Sequence, residues 1–403
     1  MYILEYRLRI HPSNLNWVIP AKGIWLTLYP DNYLINRSNA GAVFAFKEEK
    51  NMKSDLPQIG KVSSDIFNEI ILPHLGRKRD SILVGPQNGV DVGVVDLGNN
   101  QVMITTTDPV FVVPPYGWER SAWFAVHILA SDALTSGITP QYITFDLNLP
   151  LSINRDEFEI LWEVIHRECD KIGMAIISGH TGRYEGCNYP MIGGATVIGI
   201  GSKDQYVTPT MAQPGDDIII TKGAAIEAAA LFASTYPDRV AAKYGDQVAK
   251  EGEELFWQMS VVKDARIAFQ AGVRENGVTA MHDATECGIL GGLFEIAHAS
   301  DVGLNVDKQK IIVQDVVAKV CELFKIDPYI SISEGTLILT CKANKSGEIL
   351  QRLEDEKIPA SVVGKITDKS DGMYYHDEGK KIELKHPNVD PFWGAFGKAA
   401  EGK

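Results

Sequence analysis

The sequence predicts a mixed α+β protein of two domains, and three observations carry that expectation. Both halves of the chain intermingle short β-type runs with helical apolar periodicity instead of segregating them. With 403 residues, 45% hydrophobic and 23% charged, there is material for two cores, in proportions foreign to disordered or collagen-like chains. A turn at Gln213-Pro214-Gly215-Asp216-Asp217 opens the second half and puts the domain boundary near 205–214.

Residues 1–51 stand apart. They hold eight aromatics, about 16% against 9% for the whole chain, and carry 6 basic and 4 acidic residues; the net +2 leaves −15 on the other 352. GIWLTLYPDNYLI (23–35) reads as two short strands about a Pro-Asp-Asn turn, followed by a polar linker, KEEKNMKSD. Two readings stand for this extension (1–55): a small appended β-element, or upstream sequence preceding a true start at Met52. From Leu56 the pattern becomes regular. Ser63 and Ser64 are capping residues before DIFNEIILPHLG, a helix stopped by Pro and Gly. QVMITTTD (101–108) is a strand ending in polar residues. Glu119–Gly137 is apolar nearly all round, hence a buried helix. QYITFDLNL (141–149) is a strand. The helix after it, 155–173, gathers Phe158, Leu161, Val164 and Ile165 on one face. MAIISG (174–179) is a short strand, and MIGGATVIGIG (191–201) a buried one whose glycines admit close backbone approach.

In the second half, IIIT (218–221) leads through Lys222-Gly223 into the helix AAIEAAALFAS. A helix near 250–272 and a strand VTAMH (278–282) follow, then a Gly-rich turn, HDATECGILGG, feeding the helix LFEIAHAS. Helices near 314–324 and 345–355 alternate with strands TLILTC (336–341) and ASVVGKI (360–366).

A net charge of −13 repels nucleic-acid phosphates, so nucleic acid is not the expected partner. No run approaches 18 apolar residues, so no membrane-spanning helix is expected. The N-terminus lacks an apolar h-region, so no secretory signal is expected either. The five cysteines contain no C-x-x-C pair, which fits free thiols in a reducing cytoplasm better than a disulfide framework or structural zinc.

The candidate chemistry lies in polar residues at strand ends and Gly-rich turns: Asp91, Asp108, Asp132, His180 and Asp283. Carboxylates just past buried strands point into a shared crevice, where they repel one another unless a cation neutralises them. Mg²⁺ suits oxygen ligands of this kind. The turns at 85–93 and 288–292 add backbone N–H groups, and the second opens a helix whose N-terminus favours phosphate. Each residue also has a structural reading. A strand-end Asp forms turns or caps, Asp132 could hold a hydroxyl, and Asp283 or Thr285 could cap helix 286–300. His180 could be an ordinary loop histidine, and Cys287 a buried hydrophobe rather than a reactive thiol. Walker-type and protein-kinase signatures do not occur.

From about Leu56 to Lys385 the chain resembles the aminoimidazole-ribonucleotide (AIR) synthase superfamily, closest to its HypE-type hydrogenase-maturation members. The stretches that carry the likeness are TTTDP, HILASDALTSGITPQYI, KIGMAIISGHTG, PGDDIIITKG, HDATECGILGGLFEIAHASDVGLNVD and CELFKIDPYISISEGTLIL. The resemblance implies a domain at 56–208 whose sheet pairs with that of a second subunit, a domain at 209–385, and a tail at 386–403. It also implies ATP with Mg²⁺ in the cleft, and a small-molecule substrate phosphorylated on oxygen or selenium. Carried over position by position, Asp91, Asp108, Asp132 and Asp283 become metal–phosphate ligands, with Asp108 and Asp283 catalytic. Thr107, Asp132, Gly179, Thr181, Thr285 and Gly288 become nucleotide contacts, and His180 an acid–base group or altered ligand. The departures are specific. A C-terminal cysteine is replaced by GKAAEGK, and Gly-Asp-Thr by Gly179-His180-Thr181. Arg-Asp-x-Thr-Arg-Gly-Gly becomes His282-Asp283-Ala284-Thr285-Glu286-Cys287-Gly288, Glu-Gly-Lys-Leu becomes Glu334-Gly335-Thr336-Leu337, and Asn-Asp becomes Ser131-Asp132. The expectation is therefore an ATP- and Mg²⁺-dependent phosphoryl-transfer enzyme acting on an amide or carboxyl-type oxygen. The alternative is a homodimeric nucleotide or metabolite sensor that kept the fold without turnover. A metal-dependent hydrolase is a distant third.

Overall fold

The computed structural model describes residues 61–62, 64–387 and 389–401, together with four short strands within 17–44. Residues 1–56 form a unit of their own. In it Trp17–Val18 (β1) pairs antiparallel with Leu26–Thr27 (β2), and Ile35–Ser38 (β3) with Gly41–Phe44 (β4). The strands on either side of Pro30-Asp31-Asn32 are β2 and β3, each paired away from that turn, β2 with β1 and β3 with β4. The linker and Met52 lie outside the described residues.

The second unit, 57–403, contains two sheets. Its first helical stretch runs from Ser64–Ile66 (α1) through a wide turn at Phe67–Ile71 to a tight one at Leu72–His74, where Pro73 and Gly76 end it. Six strands form the first sheet: Ile82–Val84 (β5), Gly93–Gly98 (β6), Gln101–Phe111 (β7), Pro140–Leu149 (β8), Ala175–Arg183 (β9) and Met191–Ser202 (β10), in the order β5-β6-β7-β10-β8-β9. Only the β8–β9 pair is parallel. The glycines of β10 do what their pattern suggests. A Cβ on Gly193 would fall 1.7 Å from the Asp146 carbonyl, so the strands could not meet with any other residue there.

Trp118–Thr135 (α2) covers this sheet together with Arg155–Ile172 (α3). α2 is buried from Ser121 to Thr135 on nearly every side, as its unbroken apolar character demands. α3 begins with a reciprocal cap, the Glu157 N–H donating to Asn154 Oδ1 at 3.0 Å and the Asn154 N–H to Glu157 Oε2 at 2.9 Å. It ends at Gly173, φ 93°.

The second sheet has seven strands: Asp217–Thr221 (β11), Val278–Asp283 (β12), Gly303–Asp307 (β13), Leu337–Cys341 (β14), Ala360–Thr367 (β15), Met373–Asp377 (β16) and Lys380–Glu383 (β17), in the order β12-β14-β11-β15-β13-β16-β17. The accompanying helices are Ile226–Thr235 (α4), Pro237–Tyr244 (α5), Asp246–Glu254 (α6), Val262–Phe269 (α7), Gly288–Ala299 (α8), Asp315–Phe324 (α9), Ser346–Asp355 (α10) and Pro391–Ala400 (α11).

Three expectations are corrected. The single helix near 250–272 is broken between α6 and α7, because groups at the break bond elsewhere: the Ser260 carbonyl accepts from Lys222 Nζ at 2.7 Å, and the Val261 N–H donates to Ser131 Oγ at 3.0 Å. The strand expected to stop at Gly179 runs on to Arg183, because β8 offers a parallel partner through Leu149. The 386–403 tail contains α11, whose Phe392 packs edge-on against Phe232 of α4.

One hydrophobic core joins the two sheets. Ile104 and Val197 from the first, with Leu129 and Leu134 of α2, share it with Met281, Leu337 and Leu339 from the second. α2 lies at their junction, against both β7 and the edge strand β12. Among the described residues no helix is long and apolar enough to cross a membrane.

Candidate active site

β7, α2 and the end of β12 each deliver an acid to the place where the two sheets meet. Because β7 alternates, Thr106 and Asp108 share one face and Thr107 takes the other. Asp132, in the last turn of α2, is 8% exposed and accepts from Thr106 Oγ1 at 3.1 Å. Asp283 ends β12 fully buried, and neither of its carboxylate oxygens has a hydrogen-bond donor. Asp91 comes from the loop before β6. That loop crosses α8 so closely that a Cβ on Gly89 (φ 71°) would lie 2.7 Å from Glu295 Cβ, so glycine is required.

His282 is the hub. Its Nδ1 lies 2.7 Å from Asp91 Oδ2 and its Nε2 2.9 Å from Glu295 Oε2, while Asp283 Oδ1 is 3.9 Å from Nδ1. Burial alone would lower its pKa, but the two carboxylates outweigh burial and hold it well above the ordinary histidine value. With a carboxylate oxygen within hydrogen-bond distance of each nitrogen, the ring is placed to donate from both. In return its charge outweighs the effect of burial on Asp91 and Glu295, whose carboxyls sit below their usual range.

Lys61 supplies a second cation. Its backbone N–H donates to Glu286 Oε2 at 3.2 Å and its Nζ to Thr285 Oγ1 at 3.4 Å. Burial would lower the ammonium's pKa, but Asp91, Glu295, Asp132 and Asp108 together raise it.

The remaining acids lack such compensation. Burial, followed by the charges of Asp283, Asp108 and Asp91, pushes Asp132 well above the carboxylate range. Burial, with Asp91 next, raises Asp283 to about 7. Asp108 is also raised, mainly by burial. Glu334 is fully buried with both oxygens unpartnered, and its N–H donates to Glu227 Oε2 at 3.0 Å. Burial lifts Glu227 to about 7. One end of the crevice thus carries matched charge and the other a surplus of oxygen donors.

Asp91, His282 and Asp283 each offer an atom within 4.8 Å of the others. Both nitrogens of His282 are taken up by carboxylates, so the ligand set that fits is the carboxylates, a hard oxygen set suited to Mg²⁺. The orphaned oxygens of Asp283 are what such an ion would satisfy.

The four aspartates from the sequence reading therefore come together. Thr107 does not join them: its Oγ1 lies 2.9 Å from Thr196 Oγ1 on the exposed side of the sheet. Gly179, His180 and Thr181 lie on β9, exposed. Asp108 pairs with Ala195, Ala195 with Phe145 and Phe145 with Gly179, so three strand spacings, about 14 Å, separate β9 from Asp108. His180 Nε2 lies 2.6 Å from the Tyr184 hydroxyl.

Thr285 lies at the crevice beside Lys61. Gly288 (φ 58°) opens α8 where a Cβ would meet the Ser331 carbonyl at 2.5 Å. Neither Asp283 nor Thr285 caps α8; Asp390 Oδ2 accepts from the Cys287 N–H at 2.7 Å instead. Burial pushes the Cys287 thiol up to about 12, which removes it as a nucleophile.

The residues not anticipated as part of the site are Lys61, Glu227 and Glu295, the last held by His282 Nε2. Gly60-Lys61 before a capped helix was the available signal for the first. Glu227 and Glu295 lie inside ordinary helical patterns that carry no such signal, whereas Glu334 stands in the Glu334-Gly335-Thr336-Leu337 motif.

Residues 89–201 match the family described as AIR synthase related protein, N-terminal domain, and residues 213–376 its C-terminal domain. A Methanocaldococcus jannaschii protein named for hydrogenase expression and formation is 23% identical over 320 residues, covering 78% of this chain and 90% of the relative. A selenide, water dikinase of Caldanaerobacter subterraneus subsp. tengcongensis is 25% identical over 334 residues, covering 73% and 89%. Among solved structures, a ThiL complexed with AMPPCP and TMP superposes with a TM-score of 0.58 at 17% identity (74% of this chain, 90% of that one). The hydrogenase maturation protein HypE in complex with ATP does so with 0.56 at 18% (83% and 97%).

Proposed function

From the premise that this chain belongs to the AIR synthase-related family, we propose that it is an ATP- and Mg²⁺-dependent enzyme that phosphorylates an amide or carboxyl-type oxygen of a small substrate. The observation that carries this reading is Asp283, fully buried with two unpartnered oxygens among Asp91, Asp108 and Asp132. Folding such a set together without a cation is costly, and a divalent ion with phosphates is the ligand that removes the cost. The relatives include a dikinase, and a similar fold is known with ATP bound.

Asp91, Asp108, Asp132 and Asp283 would hold the ion, which when bound would draw charge from the phosphates. The chain's own groups do the rest. Lys61, beside Thr285, offers a cationic donor to a phosphate oxygen. His282 fixes Asp91 and Glu295 in place from both of its nitrogens. The enclosed position of Asp283 and Glu334 keeps water from the acid-rich end. Phosphoryl transfer depends chiefly on such positioning and charge neutralisation.

The edge position of β9, which has no further strand partner among the described residues and exposes residues on both faces, also supports a homodimer through it. Ile177 on that strand is 54% exposed, and Met191 of β10 is 59% exposed.

Calorimetric titration with ATP, with and without Mg²⁺, tests the reading. Wild type should bind only with Mg²⁺ and Asp283→Asn should not bind. Heat of equal size without Mg²⁺, or unchanged binding by the variant, refutes it. The sensor reading has its own support: His282, at a position where the family pattern has arginine, is engaged with Asp91 and Glu295, and the second arginine position is Glu286. Mg²⁺-dependent ATP binding with no phosphate release across a panel of amides and carboxylates would select it.

A further inference from the structure

A second cavity, of about 480 Å³, lies between α2, α7 and the start of β15, and none of its lining residues belongs to the carboxylate crevice. The two sites use opposite faces of one helix: Trp123 and Asp132 are nine positions apart on α2, half a revolution at 100° per residue. Trp123 stacks on His127 at 4.1 Å and meets Trp257 edge-on at 5.2 Å, and Trp257 is 40% exposed at the mouth. These rings form an aromatic wall.

The base of the cavity is polar and incompletely satisfied. Lys222 and Asp264, with side chains 8% and 2% exposed, are paired at 2.9 Å. The Lys222 ammonium donates a second hydrogen bond to the Ser260 carbonyl at 2.7 Å, which leaves one of its three N–H groups over. Asp264 Oδ1 is buried without any partner. Burying a carboxylate oxygen without a donor is unfavourable, and a buried ammonium hydrogen without an acceptor likewise. Side by side, the spare acceptor and spare donor form a complementary pair. At the rim stands Lys357, exposed and in no ion pair among the described residues.

We propose that this cavity binds a nucleobase-type heterocycle with a phosphate substituent. The ring would pack against Trp257 and Trp123, its N–H would donate to Asp264 Oδ1, its adjacent ring acceptor would take the spare Lys222 N–H, and its phosphate would meet Lys357. The volume is within the range of small-molecule sites, and aromatic stacking with one polar edge is how such rings are oriented.

AMP and GMP, titrated in EDTA with tryptophan fluorescence as the readout, test the assignment apart from the metal-dependent crevice. Quenching by either with a dissociation constant below about 0.1 mM is expected. N6,N6-dimethyl-AMP, which lacks the N–H, should bind at least tenfold more weakly than AMP. Trp257→Ala, at the surface, and Asp264→Asn should each weaken binding at least tenfold, and Asp283→Asn should leave it unchanged. The assignment is overturned if neither nucleotide binds at about 1 mM, if the dimethyl compound binds as well as AMP, or if Trp257→Ala binds like wild type.

Discussion

Replacing Asp283 by asparagine should stabilise the metal-free protein, and the amount should depend on pH. The carboxyl's pKa rises from 3.8 to about 7 on folding, because ionising it means placing a charge away from water beside other acids. A group raised in this way contributes no penalty below pH 3.8, where it is protonated in both states. The penalty grows as pH climbs and is complete above about 7. A shift of about three units caps it at about 4 kcal/mol. Neighbouring acids share the proton and relax when one charge is removed, so about 1–3 kcal/mol is expected. Asparagine keeps the shape, removes the charge and lends an N–H₂ to the surrounding oxygens. In EDTA at pH 8, thermal unfolding should therefore occur several degrees higher in Asp283→Asn, at about 2 °C per kcal/mol. At pH 5, where about two-fifths of the penalty remains, the difference should shrink to about one to two degrees. Adding Mg²⁺ and ATP should reverse the order: wild type gains about 2.7 kcal/mol at one hundred times its dissociation constant, and the variant gains none. A variant less stable than wild type at pH 8 in EDTA would refute the account of Asp283 as an uncompensated acid.

His282→Ala removes the cation between Asp91 and Glu295 and leaves two enclosed carboxylates. A loss of about 3–5 kcal/mol is expected by urea unfolding at pH 6, diminishing as pH rises through the raised folded pKa of the wild-type imidazole; a loss below about 1 kcal/mol would show that the bridge matters little. Lys61→Gln should tighten binding of Mg²⁺ alone by about threefold or more, because ammonium and ion compete for the same carboxylates. Calorimetry showing equal or weaker binding would count against that competition. Of the five free cysteines, Cys187 should react with a thiol reagent in the native protein. Cys169, Cys287, Cys321 and Cys341, buried and pushed up to about 12, should react only on unfolding; mass spectrometry of the labelled peptides checks the order.

The elements most legible in the sequence were those with one dominant signal. α2 shows itself by apolar residues all round, α3 by the single apolar face of Phe158, Leu161, Val164 and Ile165, and β10 by glycines that another strand must approach. β5 and β6 were not legible, because their short runs are flanked by Gly, Asn and Asp that read as loop; β16 and β17 are likewise short and polar. β9 continues through Gly-His-Thr-Gly, whose glycines are poor strand formers, because the neighbouring strand supplies partners. Asp108, Asp132 and Asp283 were visible as strand-end and helix acids in matching stretches, and Asp91 in a Gly-rich turn. The charges that balance them were not, since His282 meets Asp91 across 191 residues of chain and Lys61 meets Glu286 across 225. Local pattern cannot encode such pairings, and only the folded chain brings them together.

The placement of α2 has a mechanical consequence. Because one apolar core passes from the first sheet through this helix to the second, the two sheets cannot swing apart as rigid leaves without tearing buried contacts. The spacing between β7 and β12 is thus fixed by packing rather than set by a hinge. Ligands must enter and leave past surface loops, the Gly89 loop foremost, over a floor that stays still. Small-angle scattering should then record the same radius of gyration with and without nucleotide, placing this chain among catalysts gated by a few residues of loop rather than by the closing of domains.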